Sequence, residues 1–157
     1  MPIVYVGLGS NRGDKEKNIL KAITLLKENG QKILKTSSIY KTKPYGYKEQ
    51  KDFLNAVVKL RTKLNPENFL ILCKKIESEI GRKKSFRLGP REIDLDILFF
   101  GKRVIKNKKL TIPHKDLHNR EFVLRPLREI SPNLIHPVLK KRIAKINNVI
   151  IGEKKIR

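Results

Sequence analysis

The sequence predicts one α+β domain, in which a mostly antiparallel sheet carries helices on one face. Short runs rich in β-branched and aromatic residues alternate with two longer segments whose apolar residues recur at helical spacing. In chain order these elements read strand, helix, strand, strand, helix, strand, which is the ferredoxin-like split βαβ arrangement. The 157 residues suit a single domain (1–157), and no repeat or linker divides them.

The first strand and helix are bounded by clear signals. Residues 3–6 form a short apolar run that ends at Gly7 and predicts the opening strand. Asp14 can cap a helix that continues to about Glu28, with apolar residues on one face, and Gly30 ends it.

The next two strands lead into a second helix. Residues 33–40 and 53–60 are predicted strands, and a polar segment separates them. Asn65 supplies a helix cap, Pro66 a first-turn proline and Gly81 a stop. The apolar stripe of this helix consists of Phe69, Cys73, Ile76 and Ile80.

The second half of the chain is predicted to hold one more strong strand. A basic loop over residues 82–89 leads into a strand over 92–100, and residues 103–105 are predicted to return along it. Short helices are expected around 126–130 and 140–146.

Composition restricts the protein class and the partners. The 37 Lys and Arg residues against 15 Asp and Glu give a net charge of +22, which attracts anions such as nucleotides, nucleic acid or acidic membranes. Scattered lysines are also compatible with an ordinary solvated surface. No segment approaches the length of a membrane span, and the N-terminal residues do not resemble a signal peptide. Cys73, the single cysteine, excludes an internal disulfide, and we expect a cytoplasmic protein.

Two aspartates in the predicted strand over 92–100 are the most informative polar pair. Alternation places Asp94 and Asp96 on one face, with Cα atoms about 6.6 Å apart. The opposite face would carry Ile93, Leu95, Ile97 and Phe99. Surface aspartates neutralised by Arg91 and lysines would give the same pattern. Because aspartate is rare in strands, we favour carboxylates that bind Mg²⁺, and adjacent carboxylates can hold two ions.

Basic residues flank this acidic pair on both sides. They are Arg82, Lys83, Lys84 and Arg87 before it, and Lys108 and Lys109 after it. Phosphoryl transfer uses metal ions on the phosphates and cations on the charge that develops. A nucleic-acid backbone would be repelled by the carboxylates without metal, so the combination favours an enzyme that acts on a metal–nucleotide complex.

Other motifs are weaker. The segment over residues 7–13 resembles a dinucleotide-binding glycine pattern, but its spacing is wrong, and we interpret it as a loop that needs small residues. His114 and His118 are four residues apart, yet Pro113 disfavours a helical zinc site. Glu77 lies at the edge of the apolar face of its helix, beside the lysines at 74 and 75, and is interpreted as part of a helix-surface ion pair.

Three separated motifs resemble one known family. Residues 89–97 match the pattern Gly-Pro-Arg-x-x-Asp-Leu-Asp-Ile. A second element combines 113–114, 119–120 and Phe122, and a third is the segment 52–56. On these residues the chain resembles the 6-hydroxymethyl-7,8-dihydropterin pyrophosphokinases of folate biosynthesis, over nearly its whole length.

The resemblance implies a reaction and a set of groups that perform it. ATP would give its pyrophosphoryl group to the hydroxymethyl oxygen of the pterin, leaving AMP. Asp94 and Asp96 would hold two Mg²⁺ ions, and the catalytic set would also include Arg82 and Arg91. The implied ATP site consists of Lys74, Glu77, Lys84, Arg91, Ile97, Lys109, Thr111, His114, Lys115 and Arg120.

The resemblance also implies a pterin site. The pterin would stack between Phe53 and Phe122, and Asn55 would bind its amide edge, since a carboxamide offers both a donor and an acceptor. The implied set is Thr42, Lys43, Pro44, Tyr45, Gly46, Phe53, Asn55, Asp94 and Phe122. The expected partners are these two substrates alone, bound by a monomer without specific nucleic acid or membrane contacts.

The chain departs from the family pattern at several positions. Leu88 stands where tryptophan is common, and lysine replaces the usual side chain at positions 74, 84 and 115. Lysine keeps the charge of arginine but loses its bidentate fork. These changes concern the basic loop and the adenine contacts more than the metal or the pterin.

Two alternatives remain at this point. An RNA-binding module on a ferredoxin-like sheet would explain the charge of +22, but only 6% of the residues are aromatic and no base-stacking motif is present. An inactive relative with a structural role is the other, and the retained aspartates and arginines speak against it.

Overall fold

A computed structural model describes residues 1–43, 49–82, 85, 89–146 and 154–155. The strands are β1 (Ile3–Ser10), β2 (Lys32–Thr36), β3 (Tyr40–Thr42), β4 (Phe53–Arg61), β5 (Asp94–Phe100), β6 (Ile105–Lys106), β7 (Thr111–Ile112) and β8 (Lys154–Lys155). The α-helices are α1 (Lys15–Glu28), α2 (Pro66–Ile80) and α3 (Glu121–Ile130), and short 3₁₀ turns cover Leu117–Asn119 and Ile143–Lys145.

The main sheet has the order β5-β1-β4-β3-β8, and β2 pairs with β4 beside β3. Every pairing is antiparallel, with β1 between β4 and β5. Strands β6 and β7 form a separate two-stranded sheet. The predicted ferredoxin-like α+β arrangement is confirmed.

The caps of α1 and α2 agree with the sequence prediction. The carboxylate of Asp14 accepts a hydrogen bond from the Lys17 amide, and the side chain of Asn65 accepts one from the Asn68 amide. Gly81 ends α2 with φ of 101°, a conformation that glycine adopts at little cost.

The sheet is covered on both faces, so the prediction of helices on one face is wrong. Helices α1 and α2 pack on the face that carries Val4, Val6 and Ala56. Helix α3 packs on the opposite face, against Val57 and Phe99. The apolar residues of α3 that make this second core are Val123, Leu124, Leu127 and Ile130.

The first and second predicted strands have different limits in the structure. β1 continues through the glycines to Ser10 instead of ending at Gly7. The predicted strand over 33–40 is divided into β2 and β3, because the Ser37 hydroxyl accepts the Val57 amide hydrogen bond (2.8 Å) at the break.

A bulge changes the phase of β5. Tyr5 pairs with Phe99 and Val6 pairs with Ile97, so Leu98 is an extra residue on β5. The predicted alternation therefore holds through Ile97 and fails at Phe99, which joins Leu98 in the core under α3.

The later elements also differ in extent. Ile105 pairs with Ile112 of β7, so the residues after Gly101 do not return along β5 as expected. Helix α3 begins at Glu121, five residues before the predicted start, and includes Pro126. Only a 3₁₀ turn forms within 140–146. No helix in the described part of the chain is long and apolar enough to cross a membrane.

Candidate active site

A pocket lies over the adjacent strands β5, β1 and β4, on the face that α3 covers. β1 supplies its floor through two glycines, since Gly9 pairs with both Asn55 and Asp94, and Gly7 pairs with both Val57 and Asp96. The lining residues are Gly7, Leu8, Gly9, Thr42, Lys43, Phe53, Asn55, Ala56, Val57, Arg91, Asp94, Asp96, His114, Arg120, Phe122 and Val123.

The glycines keep this floor open. A Cβ atom on Gly9 would lie 3.0 Å from Oδ1 of Asn55, which is closer than ordinary packing allows. The neighbouring strands can therefore present Asn55 and Asp94 on either side of a groove. The need for small residues over 7–13 was predicted, but Gly7 and Gly9 lie in strand β1 and only residues 11–13 lie in the loop after it.

Asp94 and Asp96 stand close together beside this floor. Burial raises the pKa of Asp96 to about 8, the negative charge of Asp94 adds to the shift, and Arg120 opposes it. Two carboxylates that repel each other in a poorly solvated position fit a bound cation.

The donor set also fits a hard divalent cation. Within the described residues, no group of three or more His, Cys, Asp and Glu side chains is placed to hold one ion. The protein would thus supply the oxygens of Asp94 and Asp96, and phosphates and water would complete the coordination, as is usual for Mg²⁺.

Two arginines donate hydrogen bonds to the two carboxylate oxygens of Asp94. Nη1 of Arg82 donates to Oδ1 at 3.2 Å, and Nη1 of Arg91 donates to Oδ2 at 3.1 Å. Arg82 also pairs with Oε2 of Glu77 at 2.9 Å. Asp94 is therefore neutralised by the same two cations that the family resemblance implies to be catalytic.

Glu77 is a buried part of this network and not a helix-surface residue. Only 3% of it is exposed, and its Oε2 accepts the Leu95 amide hydrogen bond at 2.9 Å. Lys74, which is exposed, lies 3.5 Å from Oε1. Glu77 thus ties α2 to β5 and fixes the side chain of Arg82, and the surface interpretation is wrong.

The opposite wall is neutral and aromatic. Phe53 and Phe122 both line the pocket, and Nδ2 of Asn55 donates to Oγ1 of Thr42 at 2.6 Å. Each ring has a guanidinium over it, with Cζ of Arg91 at 6.0 Å from the Phe53 centroid and Cζ of Arg120 at 5.6 Å from the Phe122 centroid.

His114 is a neutral imidazole at the edge of the pocket. Burial lowers its pKa to about 4, and the charge of Arg120 lowers it further. Its Nδ1 accepts a weak hydrogen bond from the Asp116 amide (3.4 Å), which leaves the ring proton on Nε2. The side chain can therefore donate a hydrogen bond to an anionic oxygen.

Several predicted site residues do not line this pocket. Lys109 and Lys115 are exposed, and Thr111 lies in the small β6–β7 sheet. Ile97 belongs to the core under α1 and α2. Four further predictions lie outside the described residues: Pro44, Tyr45, Gly46 and Lys84.

The sequence reasoning missed the role of Gly7 and Gly9 as the floor between the two walls. Their alternation within an apolar run was the available signal, because only every second residue of a strand faces a given side.

Comparison with known proteins agrees with this geometry. The sequence model of one family, 7,8-dihydro-6-hydroxymethylpterin-pyrophosphokinase (HPPK), matches residues 5–132. The chain belongs to the HPPK family. The family and the pyrophosphokinase class predicted from the sequence are confirmed.

Two curated HPPK relatives are bacterial enzymes of similar length. The chain is 49% identical over 141 residues to the 2-amino-4-hydroxy-6-hydroxymethyldihydropteridine pyrophosphokinase of Aquifex aeolicus, covering 90% of this chain and 88% of that protein. It is 46% identical to the enzyme of the same name from Bacillus subtilis, covering 82% and 77%.

Other relatives are longer. The chain is 48% identical to the folic acid synthesis protein fol1 of Pneumocystis carinii, covering 90% of this chain but 19% of that protein. Among solved structures, an HPPK-DHPS in complex with substrates has a TM-score of 0.77 at 18% identity, covering 98% of this chain and 46% of that one. Plasmodium falciparum HPPK-DHPS has a TM-score of 0.72 at 21% identity, covering 93% and 43%. These structures share the HPPK fold, and the chain spans less than half of each.

Proposed function

We propose that this chain transfers the pyrophosphoryl group of ATP to the hydroxymethyl oxygen of 6-hydroxymethyl-7,8-dihydropterin. The hydroxymethyl oxygen would form a bond to the β-phosphorus and release its proton to solvent. The bond from that phosphorus to the α,β-bridging oxygen would break, and AMP would leave with that oxygen. The observation that carries the proposal is one pocket lined on one side by the acidic pair and Arg91 and on the other by an aromatic, amide-bearing wall. Arg82 does not line the pocket but pairs with Asp94.

The aromatic wall suits a flat heterocycle. A pterin between Phe53 and Phe122 would stack on both rings and present its amide edge to Asn55. Thr42 already engages one amide hydrogen of Asn55, which fixes the orientation of the carboxamide. Lys43 lines the same side of the pocket, and residues 44–46 would complete it.

The charged side suits a triphosphate with divalent cations. We assign Asp94 and Asp96 as the ligands of two Mg²⁺ ions, which neutralise charge on the phosphates when bound. Arg82 and Arg91 would stabilise negative charge on the group in transit, since both already lie against Asp94. His114 and Arg120 would bind phosphate oxygens from the third side.

The remainder of the ATP site extends beyond the described pocket. We propose that the nucleoside lies towards the residues that the family resemblance assigns to ATP: Lys74, Glu77, Lys84, Ile97, Lys109, Thr111 and Lys115. Of these, Glu77 would act through its ion pair with Arg82. We further propose a single-domain cytoplasmic monomer over 1–157 that binds no specific nucleic acid.

The products of a single reaction test this function. The purified chain is incubated with ATP, Mg²⁺ and 6-hydroxymethyl-7,8-dihydropterin, and nucleotides and pterins are separated by chromatography. We expect equal amounts of AMP and pterin diphosphate. Release of ADP, or no turnover at saturating substrates, would overturn the proposal.

Two carboxylate variants provide matched controls for the assay. Asp96→Asn should abolish product formation, whereas Glu79→Gln should not change it. Glu79 is an exposed carboxylate that pairs with Lys75 on the outer side of α2.

A further inference from the structure

Asn11 lies directly after β1 and is almost completely buried, with 2% of its surface exposed. Its Nδ2 donates to Oε1 of Gln50 at 2.8 Å and to the Lys51 carbonyl at 3.1 Å. Its Oδ1 accepts from the Arg91 amide at 2.9 Å, and its own amide donates to the Arg91 carbonyl at 3.1 Å. One side chain thus joins two later segments of the chain, which are 39 and 80 residues away from it in sequence.

Both segments lead directly into the pocket. Lys51 is two residues before Phe53, which forms the aromatic wall. Arg91 reaches Oδ2 of Asp94 at 3.1 Å, and its Nε and Nη2 donate to the Gly89 carbonyl at 3.2 Å. Its Cζ lies 6.0 Å from the centre of the Phe53 ring. The backbone that Asn11 holds therefore carries the guanidinium between the aromatic wall and the acidic pair.

We infer that Asn11 is a positioning residue for pyrophosphoryl transfer, which holds the main chain of Arg91 and the segment before Phe53 in one arrangement. An asparagine suits this role because its carboxamide donates twice and accepts on the other side. Asn11 does not line the pocket and would act through Arg91. The inference therefore rests on the proposed function, which assigns Arg91 its role in the transfer.

A neighbouring asparagine shows that the Arg91 contact is specific to Asn11. Nδ2 of Asn18 donates to the carbonyls of Arg12 and Glu92, both at 3.1 Å. Asn18 therefore holds Glu92, the residue after Arg91, through the Glu92 carbonyl. Asn11 alone of the two contacts both the amide and the carbonyl of Arg91.

A double-mutant cycle on kcat tests this role. Asn11→Ala should lower kcat about tenfold with a much smaller effect on the KM for ATP, because the guanidinium loses its fixed approach to the transition state. In an Arg91→Ala background the same change should have almost no further effect on kcat. A residue that only supports the fold would lower kcat by the same factor in both backgrounds, and that result would overturn the inference.

Two further variants keep the test decisive. Asn65→Ala removes the side-chain cap of α2, away from the pocket, and should lower the melting temperature while leaving kcat unchanged in both backgrounds. If Asn11→Ala does not fold, Asn11→Asp replaces it, since the carboxylate keeps an acceptor for the Arg91 amide. We expect Asn11→Asp to lower kcat less than Arg91→Ala does and to have no effect on kcat in the Arg91→Ala background. A loss of kcat by the same factor in both backgrounds would contradict the role.

The wild-type assay separates this inference from the proposed function. If the unaltered chain forms no AMP and pterin diphosphate, the proposed function fails. If it does form them and the effects of Asn11→Ala and Arg91→Ala multiply, only the role of Asn11 fails.

Discussion

The two sides of the pocket are stabilised by different interactions. On the neutral side, Asn55 and Thr42 lie on paired strands and share a buried hydrogen bond of 2.6 Å. On the charged side, Asp94 is satisfied by ion pairs with Arg82 and Arg91. A pterin would enter beside groups that are already in place, whereas a cation at Asp94 would compete with two guanidinium groups for the same carboxylate. The neutral side is therefore preorganised, and the charged side would have to rearrange on binding.

The largest expected effect comes from the acidic pair. Asp94→Asn or Asp96→Asn should lower kcat by at least about a hundredfold, since each would remove an anionic ligand from the proposed cations on the triphosphate. Steady-state kinetics at saturating ATP, Mg²⁺ and pterin measure this loss. Activity within a few-fold of wild type would show that the charged side is not the metal site.

Arg82 tests whether a guanidinium that pairs with Asp94 in the structure contacts phosphate in the transition state. Arg82→Ala should lower kcat about ten- to a hundredfold and leave the affinity for ATP nearly unchanged, if the guanidinium meets phosphate only in the transition state. Titration calorimetry with a non-hydrolysable ATP analogue gives the affinity. Equal losses of affinity and rate would instead make Arg82 an ordinary phosphate anchor.

A smaller and more selective effect is expected on the neutral side. Asn55→Ala should weaken pterin binding by about 1–3 kcal/mol, because a buried polar edge loses its partner. The affinity for the ATP analogue should hardly change. Equal losses for pterin and nucleotide would show that the two sides of the pocket are not independent.

The smallest expected effect is on stability, and it depends on pH. The pKa of Asp96 is raised to about 8 in the folded chain, so between the ordinary carboxyl pKa and that value the folded state keeps a proton that the unfolded state releases. The stability contributed by this group therefore falls as pH rises. In EDTA, Asp96→Asn should raise the melting temperature at about pH 9 and have less effect at about pH 5.

A melting-temperature difference that does not grow with pH would contradict this interpretation of the charged side. Glu79→Gln serves as the control, because that carboxylate is exposed on α2 and its removal should leave the pH profile unchanged.

Local patterns were sufficient to predict most elements of the fold. Asp14 and Asn65 predicted the starts of α1 and α2, since capping depends on residues within one turn. The phase of β5 after Leu98 was not predictable in this way, because a bulge depends on the partner strand. The second core under α3 did leave a signal: residues 97–100 are all apolar, which is typical of a strand buried on both faces.

The candidate site was predicted in part for the same reasons. Alternation placed Asp94 and Asp96 on one face of β5, and the structure puts both in the pocket. The burial of Glu77 was missed, because its partners Arg82 and the Leu95 amide come from other segments. The contacts of Asn11 are equally non-local, and neither could be derived from spacing along the chain.

The extra residue at Leu98 divides β5 into two halves that pair with β1 in different registers. Before it, Asp94 and Asp96 are in register with the glycines of β1. After it, Phe99 pairs with Tyr5 in a register that is shifted by one residue, and its side chain lies in the core under α3. Deletion of Leu98 would remove the extra residue, so the two halves of β5 could no longer both keep their present pairing with β1. Either Asp94 and Asp96 would turn to the opposite face of the sheet, or Phe99 would leave the core under α3.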